Sequence, residues 1–471
     1  MRFLCEVNCV MSFRIKKFIP KKIRNLKHLF YAWYGALKYQ HPSREIFVIG
    51  ITGTSGKSST TYFLRQLLEA SGFRVGSLST IDFFIAGENK LNDQKMTMLG
   101  KMQIQKYLRE MVDKKCDIAI VETTSEGVVQ YRHRWIEYDM MVLTNLYPEH
   151  IESHGSFENY KNAKLSIFQY VSHLKRKKMF GKWNQRGWGE YIPKISIVNA
   201  DLSETENRFE GVAHEFVDTP FDQKYTFGKK PRDEHMLGSS LQNHFCLFKP
   251  KVTDKGIEFQ IGQEVFFAPV FGEHNMMNIL CAIEICHAMG IDWRTTLKQS
   301  VQHLQSPEGR IEFIHEAETK GFRVIVDYAF EPVAMQKLYD VVSHIQPKRI
   351  IHVFGSTGGG RDVARRFTVG EFVGTHADIC IVTDEDPYDD NPQDIIDDVA
   401  SAVVKAGKVN GQNLFAILDR TQAIEKAISL AHSGDVVLIT GKGSEQGMVV
   451  KGKIIPWDDR KVVRESLKKI S

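Results

Sequence analysis

The residues with the clearest chemical purpose are Gly50-Ile51-Thr52-Gly53-Thr54-Ser55-Gly56-Lys57-Ser58-Ser59-Thr60. A glycine-rich turn lets successive backbone N–H groups converge on phosphate oxygens. A lysine at its end neutralises the β- and γ-phosphates, and the serine hydroxyl after it holds Mg²⁺. The common form of this loop has glycine five residues before Gly56, where Ile51 stands, so the spacing reads G-x-x-G-T-x-G-K-S. Two further runs end on polar groups. Lys115–Glu122 is apolar and closes on the carboxylate of Glu122; Tyr138–Asn145 closes on the amide of Asn145, with Glu149-His150 just beyond. Carboxylate and imidazole suit Mg²⁺ or Mn²⁺. A strand-end glutamate by itself is more often a solvated cap, but with the loop it points to a nucleotide with its metal.

These groups need an element to aim them. The loop follows the apolar run Ile46–Ile49 and leads into Tyr62–Leu68, whose apolar spacing predicts a helix. Strand, glycine loop and helix is the context of a phosphate site, where the helix N-terminus adds partial positive charge. In open parallel sheets ligands sit beyond the carboxyl ends of the strands, so Lys57, Glu122 and Asn145 are expected to face one crevice. Residues 183–268 are more broken and are expected to add an edge or a secondary sheet. After Ser306-Pro307-Glu308-Gly309 a second α/β unit is legible in four runs: Phe322–Asp327, Arg349–Phe354, Ala377–Thr383 and Asp435–Thr440. Each ends in polar or glycine-rich residues. The expected fold is α/β: a central P-loop ATPase-type parallel-sheet domain at 45–305 and a Rossmann-like doubly wound domain at 306–471, preceded by a basic amphipathic segment at 1–44.

The bulk composition narrows the classes. Of 471 residues, 42% are hydrophobic and 25% charged, ordinary for a globular protein. The net charge of +5 is unevenly placed, since residues 1–44 hold ten Lys and Arg against the single acid Glu6. The rest is mildly acidic, which argues against nucleic-acid binding by the body of the protein. Seven scattered cysteines with no C-x-x-C give neither a disulfide framework nor a zinc site, so a cytoplasmic setting is expected. No apolar run is long enough to span a bilayer. Residues 14–38 mix lysines with aromatics at helical spacing. They read either as a membrane-surface or partner-docking helix or as a helix packed on the next domain with its charges in water.

The motifs together resemble the Mur ligase family. Gly50–Thr60 is similar to its ATP loop, and Thr144-Asn145-Leu146 through Glu149-His150, His154-Gly155, Asn159-Tyr160 and Ala163-Lys164 to its central signature. Gly272-x-x-Asn275-x-x-Asn278 resembles its adenine-side motif, and Gly309-Arg310-x-Glu312 the opening of its last domain. Val326-Asp327-Tyr328-Ala329, Arg361-Asp362 with Arg365-Arg366, and Gly441-Lys442-Gly443-Ser444-Glu445 resemble the MurE type, which adds the third amino acid to a UDP-muramoyl dipeptide. The resemblance implies an ADP-forming acid–amino-acid ligase of peptidoglycan biosynthesis. A peptide carboxylate attacks the γ-phosphate of ATP, and an amine then displaces phosphate from the acyl phosphate.

It also implies roles. Gly53, Thr54, Ser55, Gly56, Lys57, Ser58, Ser59 and Asn145 would hold the nucleotide, with Asn275, Arg310 and Asp327 at adenine, phosphate and ribose. Ser58 and Glu122 would hold one Mg²⁺, and His150 with a carbamylated Lys164 the second. Lys57, Lys164, His150 and Glu122 form the implied catalytic set. Thr97, Thr124, Ser125 and Arg132 sit where the family grips the acceptor peptide. Arg366, Asp386, Gly441 and Glu445 sit where it grips the incoming amino acid. Small-molecule partners and a monomer are expected.

The departures matter too. The family usually has roughly a hundred residues of uridine-nucleotide domain before the loop, where about forty-five are present here, so the acceptor's carrier is open. Ser-Ser-His becomes Thr124-Ser125-Glu126, and Tyr-Ala-His becomes Tyr328-Ala329-Phe330. Asp-Asn-Pro-Arg, whose Arg clamps diaminopimelate, becomes Glu385-Asp386-Pro387-Tyr388. Diaminopimelate is therefore disfavoured, and Asp386 is expected to meet the second ammonium of L-lysine or ornithine. The alternatives are a ligase of this fold acting on folate or poly-amino-acid acceptors, and a non-catalytic nucleotide-binding scaffold.

Overall fold

The computed structural model describes residues 21–92, 96–100, 102–147, 154–201, 212–231, 241–253, 255–359 and 363–470. These residues divide into two compact units, one drawn from Met1–Phe248, Ile261–Glu264 and Met277–Ser300, the other from Lys249–Gln260, Val265–Met276 and Val301–Ser471.

In the first unit the elements run α1 (Lys21–Lys38), β1 (Phe47–Thr52), α2 (Lys57–Ala70), β2 (Val75–Leu78), β3 (Asp82–Ile85), β4 (Glu88–Leu91), α3 (Gln103–Asp113), β5 (Ile118–Glu122), α4 (Ser125–Val129), β6 (Met140–Leu143), α5 (Phe157–Ser172), β7 (Ile195–Asn199), α6 (Val212–Val217) and β8 (Gln223–Gly228). The strands lie in the order β4-β3-β2-β5-β1-β6-β7-β8 and end on the first half of β9 (Asn243–Thr253), while β10 (Gly256–Ile261) and β11 (Glu264–Ala268) fall almost wholly within the second unit. From β2 to the start of β9 all neighbours are parallel; β3 and β4 are antiparallel additions. Every residue of β1, β5, β6 and β7 is buried, as a parallel sheet covered on both faces requires. The broken stretch after residue 183 thus joins the main sheet: β7 and β8 extend it in the parallel sense.

Central β1 lies between β5 and β6, with Ile51 opposite Glu122 and Thr52 opposite Leu143. Their carboxyl ends therefore bring the glycine loop, Glu122 and the segment leading to Asn145 to one edge. The other ends of these strands are tied by a buried charge cluster. Asp139, fully buried, accepts from Lys177 Nζ, from Lys194 Nζ at 3.2 Å and from the Val48 N–H at 3.0 Å. Lys177 also donates to the Ile46 carbonyl at 2.8 Å and Lys194 to that of Tyr138 at 2.6 Å. Burial pulls the Lys177 ammonium down to about 8 against the pull of Asp139.

α7 (His274–Ala288) follows β11. The second unit then holds β12 (Glu312–Phe313), β13 (Arg323–Val326), α8 (Pro332–Ile345), β14 (Ile350–Phe354), α9 (Ala364–His376), β15 (Ile379–Val382), α10 (Pro392–Lys405), β16 (Leu414–Ala416), α11 (Arg420–Leu430), β17 (Val436–Ile439), β18 (Gly447–Val450), β19 (Lys453–Pro456) and α12 (Asp459–Lys469). Its sheet runs β12-β13-β17-β14-β15-β16, parallel except at β12. The four apolar runs legible in the sequence are β13, β14, β15 and β17, adjacent at its centre.

α1 carries two unlike faces. Ala32, Gly35 and Ala36 are buried, and a Cβ on Gly35 would lie 3.1 Å from Met102 at the start of α3. Leu26, Phe30, Trp33, Tyr34 and Leu37 are exposed. Among the described residues no helix is long and apolar enough to cross a membrane.

Candidate active site

The glycine loop owes its shape to what surrounds it. Gly56 caps α2 at φ +76°, a conformation costly for other residues. A Cβ there would come within 2.4 Å of Asn278 Oδ1, and a Cβ on Gly53 within 1.9 Å of Thr144 Oγ1. Asn145 pins the loop: its Oδ1 accepts from the Thr54 and Ser55 N–H groups at 3.0 and 2.8 Å, and its Nδ2 donates to the Ser55 carbonyl and hydroxyl, both at 3.1 Å. Thr144 Oγ1 donates to the Ser55 carbonyl at 2.8 Å. The Thr54 hydroxyl accepts from Tyr160 at 3.1 Å. Ser58 and Ser59 begin α2 beside Lys57, half-buried.

Two ammonium groups far apart in the chain meet on one oxygen. Lys57 Nζ and Lys164 Nζ each donate to the Gly53 carbonyl at 2.9 Å, Lys57 also reaching the Thr54 carbonyl at 3.0 Å. Lys164 is 1% exposed and lies 4.6 Å from the ring centroid of Tyr160, one turn earlier on α5. Both lysines line a cavity of about 290 Å³ together with Gly53, Thr97, Thr124, Ser125, Arg132 and Tyr160. Ser125 Oγ pairs with His154 Nε2 at 3.1 Å, and Thr124 Oγ1 caps α4 through the Gly127 N–H. Arg132 donates to the Met98 carbonyl and the Gln130 side chain; its Nε is buried with no partner among the described residues. Glu126, Met96 and Met98 complete the lining, so three cations and several hydroxyls face the cavity against one carboxylate, a balance that suits an anion.

Glu122 shows what the loop's edge can hold. It is fully buried; Thr80 Oγ1 donates to Oε2 at 3.0 Å, while Oε1 has no partner among the described residues. Burial pushes its carboxyl up, opposed by the charge of Lys57 and the hydroxyls of Ser58 and Thr80. A buried carboxylate with an unsatisfied oxygen is costly unless a cation meets it, so Glu122 and Ser58 fit one divalent ion. His150, like Glu149, lies outside the described residues.

In the second unit another group of predicted residues gathers at the carboxyl ends of the strands. Buried Asp327 accepts from the Ile311 and Ala329 N–H groups, both at 2.7 Å; burial raises its carboxyl and Arg310 opposes this. The Arg310 guanidinium lies 4.3 Å from the Tyr328 ring centroid, and Tyr328 OH donates to Glu445 at 3.2 Å. Asn275 donates to the Phe271 carbonyl at 2.7 Å at the start of α7. Gly441 has φ +102°, and a Cβ there would sit 2.4 Å from Glu385 Oε2.

Two residues expected at the amino-acid end already have partners within the chain. Asp386 does not present an uncommitted carboxylate. Oδ2 accepts from the buried Lys442 ammonium at 2.9 Å, Oδ1 from the Val449 N–H at 2.6 Å, and the residue is 4% exposed. Its charge is spent on holding Lys442, which also pairs with Glu445 at 2.6 Å. Arg366 is likewise committed, to Asp390 and Asp398, both at 3.0 Å. The carboxylate next in the chain is different: Glu385 is buried, makes no side-chain hydrogen bond among the described residues, and is pushed up to about 7 by burial, against Arg420 and Lys442. Arg361 and Asp362 lie outside the described residues.

Sequence reasoning gave no role to Tyr160, Thr80, Thr144 or Asn278. Tyr160, Thr144 and Asn278 stand inside motifs already quoted, so their spacing was the signal; Thr80 has none.

The Mur ligase middle domain matches residues 51–286, and the Mur ligase glutamate ligase domain matches residues 309–443. The chain belongs to the Mur ligase family. Among its relatives, the UDP-N-acetylmuramyl-tripeptide synthetase of Borreliella afzelii is 33% identical over 466 residues, covering 97% of this Mur ligase and 82% of that protein. The UDP-N-acetylmuramoyl-L-alanyl-D-glutamate–2,6-diaminopimelate ligase of Clostridium botulinum is 29% identical over 436 residues, covering 92% and 80%. The solved structure of a diaminopimelate ligase superposes with a TM-score of 0.59 at 22% identity, covering 90% of this Mur ligase and 78% of that chain. Mycobacterium tuberculosis folylpolyglutamate synthase, complexed with ADP and AMPPCP, gives 0.62 at 16% identity, covering 88% and 93%. These structural likenesses establish the α/β fold. This Mur ligase is an ATP-dependent ligase of the amide-forming kind, in a family that requires Mg²⁺.

Proposed function

We propose that this Mur ligase joins a diamino acid, L-lysine first among them, to a muramoyl-peptide precursor of peptidoglycan. The observation that carries the reading is the meeting of Lys57 and Lys164 on the Gly53 carbonyl, at the wall of a cavity that also holds Arg132, Ser125, Thr124 and Thr97. The acceptor carboxylate and the γ-phosphate of ATP are both anions, and their approach requires concentrated positive charge, from Lys57, Arg132 and the ions that Glu122 and a carbamate on Lys164 would hold. In the first step a carboxylate oxygen bonds to the γ-phosphorus and the bond to ADP breaks. In the second the amine bonds to the acyl carbon, phosphate leaves, and the amine loses a proton. Lys57 serves the phosphates, and Arg132 with the two hydroxyls holds the acceptor. Ser58 and Glu122 would hold Mg²⁺, which supplies charge neutralisation at the phosphates. A carbamate on Lys164, with His150, would hold a second ion.

In the second unit Asn275, Arg310 and Asp327 serve the nucleotide. With Asp386 engaged by Lys442, the side-chain ammonium of the amino acid falls to Glu385, beside Gly441 and Glu445. Tyr388 stands where diaminopimelate-adding members carry arginine, which disfavours a distal carboxylate.

The test incubates the enzyme with ATP, Mg²⁺, a UDP-muramoyl dipeptide and a mixture of amino acids, and weighs the product. The expected result is one added lysine per ADP formed. Phosphate release that is equally fast without acceptor would overturn the ligase reading, and a product carrying diaminopimelate would overturn the role of Glu385.

A further inference from the structure

We propose that the outward face of α1 docks this enzyme onto a membrane surface bearing anionic headgroups. The helix is built the wrong way round for one that only covers its own domain. Its inward face is made of the small residues Ala32, Gly35 and Ala36, set against the start of α3. Its bulk faces water: Leu26 is 62% exposed, Phe30 56%, Trp33 42%, Tyr34 44% and Leu37 47%. At 100° per residue these five lie within one side of the helix, opposite the packed alanines. Phe30 lies parallel to Tyr34 with centroids 6.2 Å apart and sits 5.7 Å from Trp33, so the aromatic side chains form one continuous patch.

The charges identify the occupant. α1 contains no Asp or Glu, and residues 1–44 carry ten Lys and Arg against one acid. Exposed Lys27 and Lys38 flank the patch. A second copy docking through the same face would set two cationic helices against each other without a counter-charge. An anionic lipid surface supplies that charge along the whole helix. Trp and Tyr favour the headgroup level, where one end of the ring is apolar and the other wet. The helix is not long and apolar enough to span a bilayer, so it lies in the plane of the interface with the patch inserted and the lysines among the phosphates.

The experiment uses the full chain and sedimentation with vesicles of phosphatidylcholine, alone or mixed with phosphatidylglycerol, at low and high salt. Binding is expected only to the mixed vesicles and is expected to weaken as salt rises. The double variant Phe30→Glu, Leu37→Glu should lower partition at least tenfold, and Lys27→Ala by about fivefold. The substituted side chains are exposed, so thermal midpoint and ligase turnover in solution should not change. Failure to bind mixed vesicles, or equal binding by the double variant, would overturn the proposal. So would self-association without lipid that the double variant abolishes, which would make the occupant a second copy.

Discussion

Replacing Lys164 separates a catalytic group, whose carbamate would hold a metal ion, from a buried structural lysine. The side chain is 1% exposed, its Nζ donates to the Gly53 carbonyl at 2.9 Å, and Tyr160 lies 4.6 Å away. Lys164→Met keeps the length of the chain and removes the nitrogen on which a carbamate would form. Exchanging a buried cation for an apolar group of similar volume is close to neutral in stability, within about 1–2 kcal/mol. Catalysis should respond differently. Losing one preorganised electrostatic group at a site of developing charge costs about 3–4 kcal/mol, or 100- to 1,000-fold in turnover. Lys164→Ala should fall as far, but it adds space to a cavity that already measures about 290 Å³, so acetate or propionate should restore part of the rate. The assay is ADP release with acceptor and amino acid, alongside urea unfolding of the same samples. In ¹³C-bicarbonate the wild type should show a carbamate resonance that Lys164→Met lacks. Turnover within threefold of wild type, or a loss that only follows the unfolded fraction, would make Lys164 a buried structural lysine and refute the reasoning.

Other outcomes follow from single contacts. Asn145→Ala removes the amide that holds Thr54 and Ser55; at about 1 kcal/mol per hydrogen bond the KM for ATP should rise at least tenfold, read by ATP titration. Glu122→Gln should raise the Mg²⁺ concentration for half-maximal turnover about tenfold or more, and removal of the metal by chelation should stop the wild type. Glu385 is pushed up to about 7 and must be ionised to receive an ammonium, so the KM for lysine should fall as the pH rises through about 7. Glu385→Gln should abolish that dependence and cost about 100-fold in kcat/KM, an unpaired buried charge costing about 3 kcal/mol or more. His352 is buried between the Tyr339 and Thr440 hydroxyls, both at 2.9 Å, and held down at about 3. The unfolded chain takes up its proton near 6.5 and the folded one only near 3, so stability falls as the pH drops from 6.5 towards 3, by about 1.4 kcal/mol per unit. His352→Gln should remove one proton from that slope in urea unfolding at pH 7 and 5.

The strands were readable because parallel strands buried on both faces are written as unbroken apolar runs, as in Ile118–Glu122 and the four central strands of the second unit. Their polar endings marked the site, since the sheet places those endings together. β3 and β4 were not foreseen: Asp82–Ile85 opens on an acid and Glu88–Leu91 is mostly polar, so neither is written as an unbroken apolar run. Nor was the commitment of Asp386 legible. Whether a carboxylate meets a ligand or a lysine of its own chain depends on Lys442, fifty-six positions later.

The lysine pair on Asp139 has a consequence for how such a protein can change. That cluster ties the starts of β1 and β6 to the segment entering β7 at the rim opposite the nucleotide loop, so the framework keeps its register without help from substrate-facing residues. The working rim of that sheet can then be recut by substitution, such as glutamate for histidine at position 126, with the losses falling on affinity before they reach folding. New specificities can be tried on a frame whose clamp lies out of their way.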